Sequence, residues 1–164
     1  MASPIGFDPT HYTNTKVGSF IPGMVYVDGA TGCEYRYVKN ATDGSITGGM
    51  SCVWTAVPTN AYPTGGGPQI VTYSNGASQL STYASAGLCT VITVAVSLYF
   101  FMLVKGMYYA ALNASGVTNG SFVTASNAVN GEFVNGAAAQ VNKEIGFALA
   151  NTNGAVFPIM VTVG

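Results

Sequence analysis

The residues able to do chemistry in this chain are few and scattered. Its single imidazole, His11, stands in a proline-rich opening stretch. Nucleophilic hydrolysis needs a base beside a Ser or Cys, and no GxSxG, HExxH or P-loop spacing occurs. Glu132 and Glu144 could in principle split glycosidic work between them, but nothing in their spacing makes them face one another. Solvated or ion-paired carboxylates are the simpler reading. Cys33, Cys52 and Cys89 are far apart, form no CxxC and are odd in number, which argues against a closed disulfide framework. They read as small buried hydrophobes, and their spacing with His11 suits zinc poorly. Gly65-Gly66-Gly67 has neither a following Lys-Ser/Thr nor a GxGxxG pattern, so it is no phosphate cradle. Trp54 and ten tyrosines could stack on sugars, but aromatic residues more often fill cores and subunit contacts. The sequons at Asn40, Asn113 and Asn119 arise easily in Asn/Ser/Thr-rich loops. The chain therefore reads as no enzyme, with no catalytic residues, no cofactor, no metal and no small-molecule substrate.

Composition turns the question from chemistry to surface. Charged residues are only 7% of 164 and hydrophobic residues 49%, with a net charge of −1. Ordinary domains carry about 25% charge. Without a basic stripe, nucleic-acid binding loses its electrostatic footing. A surface so poor in charge lacks the usual guard against association, and we read it as that of an assembly subunit. No charged and apolar leader opens the chain, so no signal peptide is expected. The apolar run Leu88–Val104 touches the length of a membrane span, yet Thr90, Thr93 and Ser97 interrupt it. Two strands, roughly Cys89–Ala95 and Tyr99–Val104, are expected there instead, and no membrane partner.

The elements follow from periodicity and punctuation. Residues 1–22 carry Pro4, Pro9 and Pro22 and read as an extended arm. Ile5, Phe7, Tyr12 and Phe20 make that arm too apolar to float, so these four are the expected contacts to a neighbouring subunit or partner. Removing residues 1–20 is expected to weaken assembly while the body stays folded. Residues 23–164 read as one domain, with a flexible Gly/Pro loop at 58–80. Strands are expected at Met24–Val27, Glu34–Val38, Met50–Val57, Glu144–Leu149 and Val156–Val163, and two helical turns at Gln79–Ala86. Asn-Gly at Asn75, Asn119, Asn130, Asn135 and Asn153 signals two-residue hairpins.

One pattern occurs twice. Tyr35-Arg36-Tyr37-Val38-Lys39-Asn40-Ala41 leads through a Gly turn to Ile46-Thr47 and Gly48-Gly49. Met107-Tyr108-Tyr109-Ala110-Ala111-Leu112-Asn113-Ala114 leads through Gly116 to Val117-Thr118 and Asn119-Gly120. Each is an aromatic strand, an Asn-Ala step, a Gly turn, a short β-branched segment and a second Gly turn. A repeated strand–turn–strand unit points to a small all-β body and to presentation of surfaces.

Several blocks resemble a family. Phe100-Phe101-Met102-Leu103-Val104-Lys105-Gly106 with Gly116-Val117-Thr118-Asn119-Gly120 is similar to an aromatic strand and turn of the head decoration, or cement, proteins of tailed bacteriophages. So are Val141–Ala150 and the terminal Val156-Phe157-Pro158-Ile159-Met160-Val161-Thr162-Val163, and in style Glu34–Val38 and Ile46–Gly49. Phe100-Phe101 stands where the family commonly has a Gly-Trp-type pair, and the middle loop has no counterpart. The resemblance implies a compact β-barrel or β-tulip body with at most one short helix, usually trimeric. It also implies binding to the major capsid protein on the outer surface of the expanded capsid, with no cofactor. The competing expectations are another virion subunit (capsid, tail or fibre) and a carbohydrate-binding module.

Overall fold

The computed structural model describes residues 8–14, 20–41, 44–54, 69–71, 85–126, 129, 131–136, 144–152 and 154–163. After a 3-10 turn at Pro9–His11, strands follow at β1 (Thr13–Asn14), β2 (Val25–Val27), β3 (Glu34–Asn40), β4 (Ile46–Thr47), β5 (Ser51–Trp54), β6 (Gln69–Val71) and β7 (Ser85–Cys89). Then come β8 (Thr93–Val94), β9 (Tyr99–Leu112), β10 (Phe122–Ala125), β11 (Phe133–Asn135), β12 (Glu144–Ala148) and β13 (Val156–Thr162). The fold is all-β.

One eleven-stranded sheet runs β11-β10-β12-β13-β9-β7-β5-β6-β3-β2, with β1 added on β9, and folds back where β9 also pairs β3. The reason is β9, which is long enough, at 14 residues, to serve two neighbourhoods. Its first half pairs β3 and β7, and its second half, from Lys105, pairs β13. The strand expected to stop at Lys105-Gly106 runs through it, with Gly106 at φ 127°.

The repeat in the sequence is a repeat in the pairing. In the first unit β3 pairs β9, β9 pairs β7, β7 pairs β5 and β5 pairs β6, all antiparallel, and β6 returns parallel to β3 at Asn40. In the second unit the later half of β9 pairs β13, β13 pairs β12, β12 pairs β10 and β10 pairs β11, again antiparallel. A parallel bridge from Phe133 to Asn113 then takes the place of β6 on β3. Register agrees in detail. Cys52 faces Gly87 and the ladder then slips; Val123 faces Gly146 and the ladder slips at the same step. Even the flanking bonds match: Gly49 N donates to Cys89 O, and Gly120 N to Ala148 O.

The later part of the apolar run, Tyr99–Val104, is a strand buried on both sides. Tyr99, Phe101 and Leu103 belong to one hydrophobic cluster, while Phe100, Met102 and Val104 belong to another. Alternation of Cβ direction divides them. No described helix is long and apolar enough to cross a membrane. Upstream, β7 ends at Cys89, so the expected strand Cys89–Ala95 is reduced to Thr93–Val94. The expected helix at Gln79–Ala86 meets β7 at Ser85 and Ala86, and its earlier residues lie outside those described.

The described Asn-Gly steps form no two-residue hairpin. Asn119-Gly120 turns the chain into β10 with Gly120 at φ 77°, but the preceding β9 and β10 are not partners. Gly131 sits in the longer loop that joins β10 to β11, and Asn135 ends β11 itself. A mirror-type turn needs positive φ at both central residues, and Asn119 does not supply it.

Candidate functional site

Matching rows across the two units differ in one respect: one is covered and the other is bare. In the second unit the register lines up Met107, Met160, Phe147 and Phe122 across four strands. Met107 is 40% and Phe122 56% exposed, Met160 and Phe147 are half-buried, and Tyr109 beside them is 70% exposed. The same row in the first unit is Tyr35, Leu103, Leu88 and Ser51, all buried. There the second unit itself lies over the row: Ser51 N donates to Gly131 O at 2.7 Å, and β7 packs beside β12 and β13. Tyr26 stacks beside Tyr35, 6.3 Å between ring centres. Burial of Tyr35 and Tyr37 drives both phenols above their usual range. A bare row of two aromatic and two thioether side chains is an apolar patch of the kind that marks an interaction surface.

Little charge borders this surface. Lys105 Nζ donates to Glu34 Oε1 at 2.8 Å, and that bond holds the ammonium above its usual range. Asp8, Thr10 and His11 form a second polar group on the arm. The Thr10 hydroxyl donates to the Asp8 carboxylate at 2.6 Å, which, helped by the Thr10 amide and His11, holds that carboxyl below its usual range. His11 Nδ1 lies 2.7 Å from the same carboxylate. The group caps the turn at Pro9–His11. Among the described residues no set of three or more His, Cys, Asp and Glu could hold a metal.

The expected contact residues divide. Tyr12 and Phe20, expected from sequence to meet a neighbour or partner, are partly buried on this chain's own core. Phe20 meets Phe101 at 5.0 Å and Tyr37 at 5.4 Å, and Tyr12 meets Phe101 at 5.9 Å. β1 adds to the edge of β9, with Thr13 opposite Phe100. Aromatic burial explains the packing: edge-to-face rings on a buried Phe gain contact energy within the chain itself. Removing residues 1–20 would therefore strip the core as well as any interface, and Phe20→Ser would open that cluster. Ile5 and Phe7 lie outside the described residues, as do Gly65-Gly66-Gly67.

The other candidates are placed in structural roles. Trp54 packs against the inner cluster and carries the Arg36 guanidinium 5.7 Å from its ring centre, so it offers no open stacking platform. Glu132 and Glu144 flank strands that β10 separates. Asn40 is fully buried, so its sequon is out of reach in the folded chain. Cys52 and Cys89 are buried thiols, and Cys33 is nearly so. Burial raises the Cys52 thiol well above its usual range and pushes Cys89 up to about 12. Because the thiolate is the reactive form, the folded chain should resist an aromatic disulfide reagent at mildly alkaline pH. All three thiols should react at once on denaturation. Rapid native labelling of Cys52 or Cys89, read by mass spectrometry, would contradict this burial.

Sequence reasoning missed the bare row. Met107, Phe122, Phe147 and Met160 are scattered over 54 positions of the chain, and only strand register brings them together. No protein-family model, curated protein or solved structure matches the chain.

Proposed function

We propose that this chain is a structural subunit of a virus particle. In this reading it is a decoration, or cement, protein that binds the outer surface of an expanded bacteriophage capsid and bridges neighbouring major capsid protein subunits. The observation that carries the reading is the bare apolar row Met107–Met160–Phe147–Phe122 on a chain with so little charge. Such a surface suits permanent burial against protein. The sequence resemblance supplies the particular partner and site of action. Bridging would act by mass action: a protein that binds only the expanded lattice stabilises that state over others. Many copies, each contributing modestly, would sum through multivalency.

Quantitative mass spectrometry of purified virions tests the proposal. We expect a copy number close to that of the major capsid protein, together with accessibility of the chain on the particle exterior. A few copies per particle would remove the cement role and leave a tail or fibre subunit as the next structural reading, and none would remove the virion role altogether.

A further inference from the structure

We infer that the second unit carries an arm-binding site equivalent to the one filled in the first, and that its occupant is the N-terminal segment, residues 1–7, of a second copy of this chain. The first unit shows what such a site takes. β1 lies on the edge of β9 opposite β3, with Asn14 across from Tyr99. Tyr12 and Phe20 then cover Phe101 and Tyr37, leaving Phe101 and Tyr37 fully buried and Tyr99 only 5% exposed.

In the second unit Val156, Phe157 and Pro158 hold the places of Tyr99, Phe100 and Phe101. Among the described residues no strand pairs the edge of β13 opposite β9 at Val156–Phe157. Val156 is 46% exposed, and Tyr109 lies nearby at 70%. An open strand edge beside exposed apolar side chains fits one kind of ligand: an extended segment with apolar side chains on one side. Ile5 and Phe7 are two residues apart, which puts both on the same side of an extended chain. Residues 8–14 and Phe20 are already committed to the first unit.

Reach decides between this copy and another. Tyr99, where β1 sits, and Leu112, which pairs Val156, are opposite ends of β9. A strand of 14 residues spans roughly 43 Å between its end residues. The chain from Asn14 back to Ile5 reaches at most about 31 Å even when fully extended. A copy whose β1 stays in place therefore falls short of setting its own Ile5 and Phe7 on the edge at Val156. The arm of one copy on the second unit of the next is a head-to-tail contact, which closes into a ring or propagates. The inference stands whether or not the assembly is a capsid decoration.

Sedimentation of the full chain against concentration tests it, beside a chain lacking residues 1–7 and the variants Phe7→Ser and Val156→Asp. The expected result is self-association of the full chain, weakened about tenfold or more in each variant, as loss of one buried apolar anchor implies. Circular dichroism should be unchanged, since Val156 is exposed and residues 1–7 precede the packed arm. A mixture of Phe7→Cys and Val156→Cys chains should form a disulfide between copies on mild oxidation. A monomeric full chain overturns the inference, and so does association that survives loss of residues 1–7. In the doubly substituted chain, a disulfide within one copy would show that the arm folds back and overturns the second-copy assignment.

Discussion

Gly146→Ala and Gly87→Ala are expected to destabilise the chain by similar and large amounts. Both glycines stand at the same step of the repeated ladder, just before the register slips. A Cβ on Gly146 would strike the backbone carbonyl oxygen of Met160 and come within 2.8 Å of its carbon. On Gly87 it would strike the carbonyl oxygen of Leu103, with Met102 Cγ at 3.1 Å. Neither neighbour is a flexible side-chain tip. Each is backbone held in a ladder, so relief requires parting β12 from β13 or β7 from β9. Overpacking of this kind costs about 3 kcal/mol. For a chain of this size that lowers Tm by roughly 6–12 °C. Gly154→Ala is the control, because a Cβ there meets nothing within 4 Å. Thermal unfolding followed by circular dichroism reads all three. If Gly146→Ala melts with the control while Gly87→Ala does not, the two units are not equivalent where the pairing says they are.

The repeat was legible in sequence because it is carried by residues whose roles are local. Asn40 ends β3 and Asn113 directly follows β9, Gly49 and Gly120 take φ 90° and 77° after them, and turn chemistry of this kind survives in single letters. Strand type was legible too, since Glu34–Val38 and Val156–Val163 are rich in β-branched and aromatic residues. The sharing of β9 between units was hidden, because Lys105-Gly106 resembles a stop and only long-range pairing carries a strand past it. The fate of the arm was hidden for the converse reason. Tyr12 and Phe20 advertise apolar contact, but nothing in their own neighbourhood says that Phe101, more than eighty residues later, is the partner. Local letters give turns and strand character; they give neither which edge a strand joins nor which row of a sheet is left bare.

Asn40→Asp is expected to be the most damaging near-isosteric change in the chain, and its cost should grow with pH. The Asn40 side chain is fully buried, and its amide Nδ2 donates to the carbonyl oxygens of Gly44 at 3.0 Å, Val94 at 3.1 Å and Ala95 at 3.2 Å. A carboxylate in that place would point negative oxygen at three carbonyls, with no donor among these three. The acid can hold the site only in its protonated form, so its folded pKa must rise above the ordinary value of about 4. Stability of the variant is then greatest below that ordinary value and falls as pH rises through the raised folded pKa. Asn40→Ala, which merely takes the amide donor away from these carbonyls, should cost about 1–3 kcal/mol at any pH. Asn113 supplies the comparison from the same place in the second unit. Its Nδ2 donates to the Thr152 hydroxyl at 2.8 Å and to Gly154 O at 3.1 Å. A hydroxyl can turn and donate, whereas a carbonyl cannot, so Asn113→Asp keeps a partner that Asn40→Asp lacks. Urea unfolding at acidic and neutral pH should therefore show a steep pH dependence for Asn40→Asp, little for Asn113→Asp and none for Asn40→Ala. Equal slopes for the two Asp variants would mean that the Asn40 amide is not what holds the Val94–Ala95 segment to the end of β3.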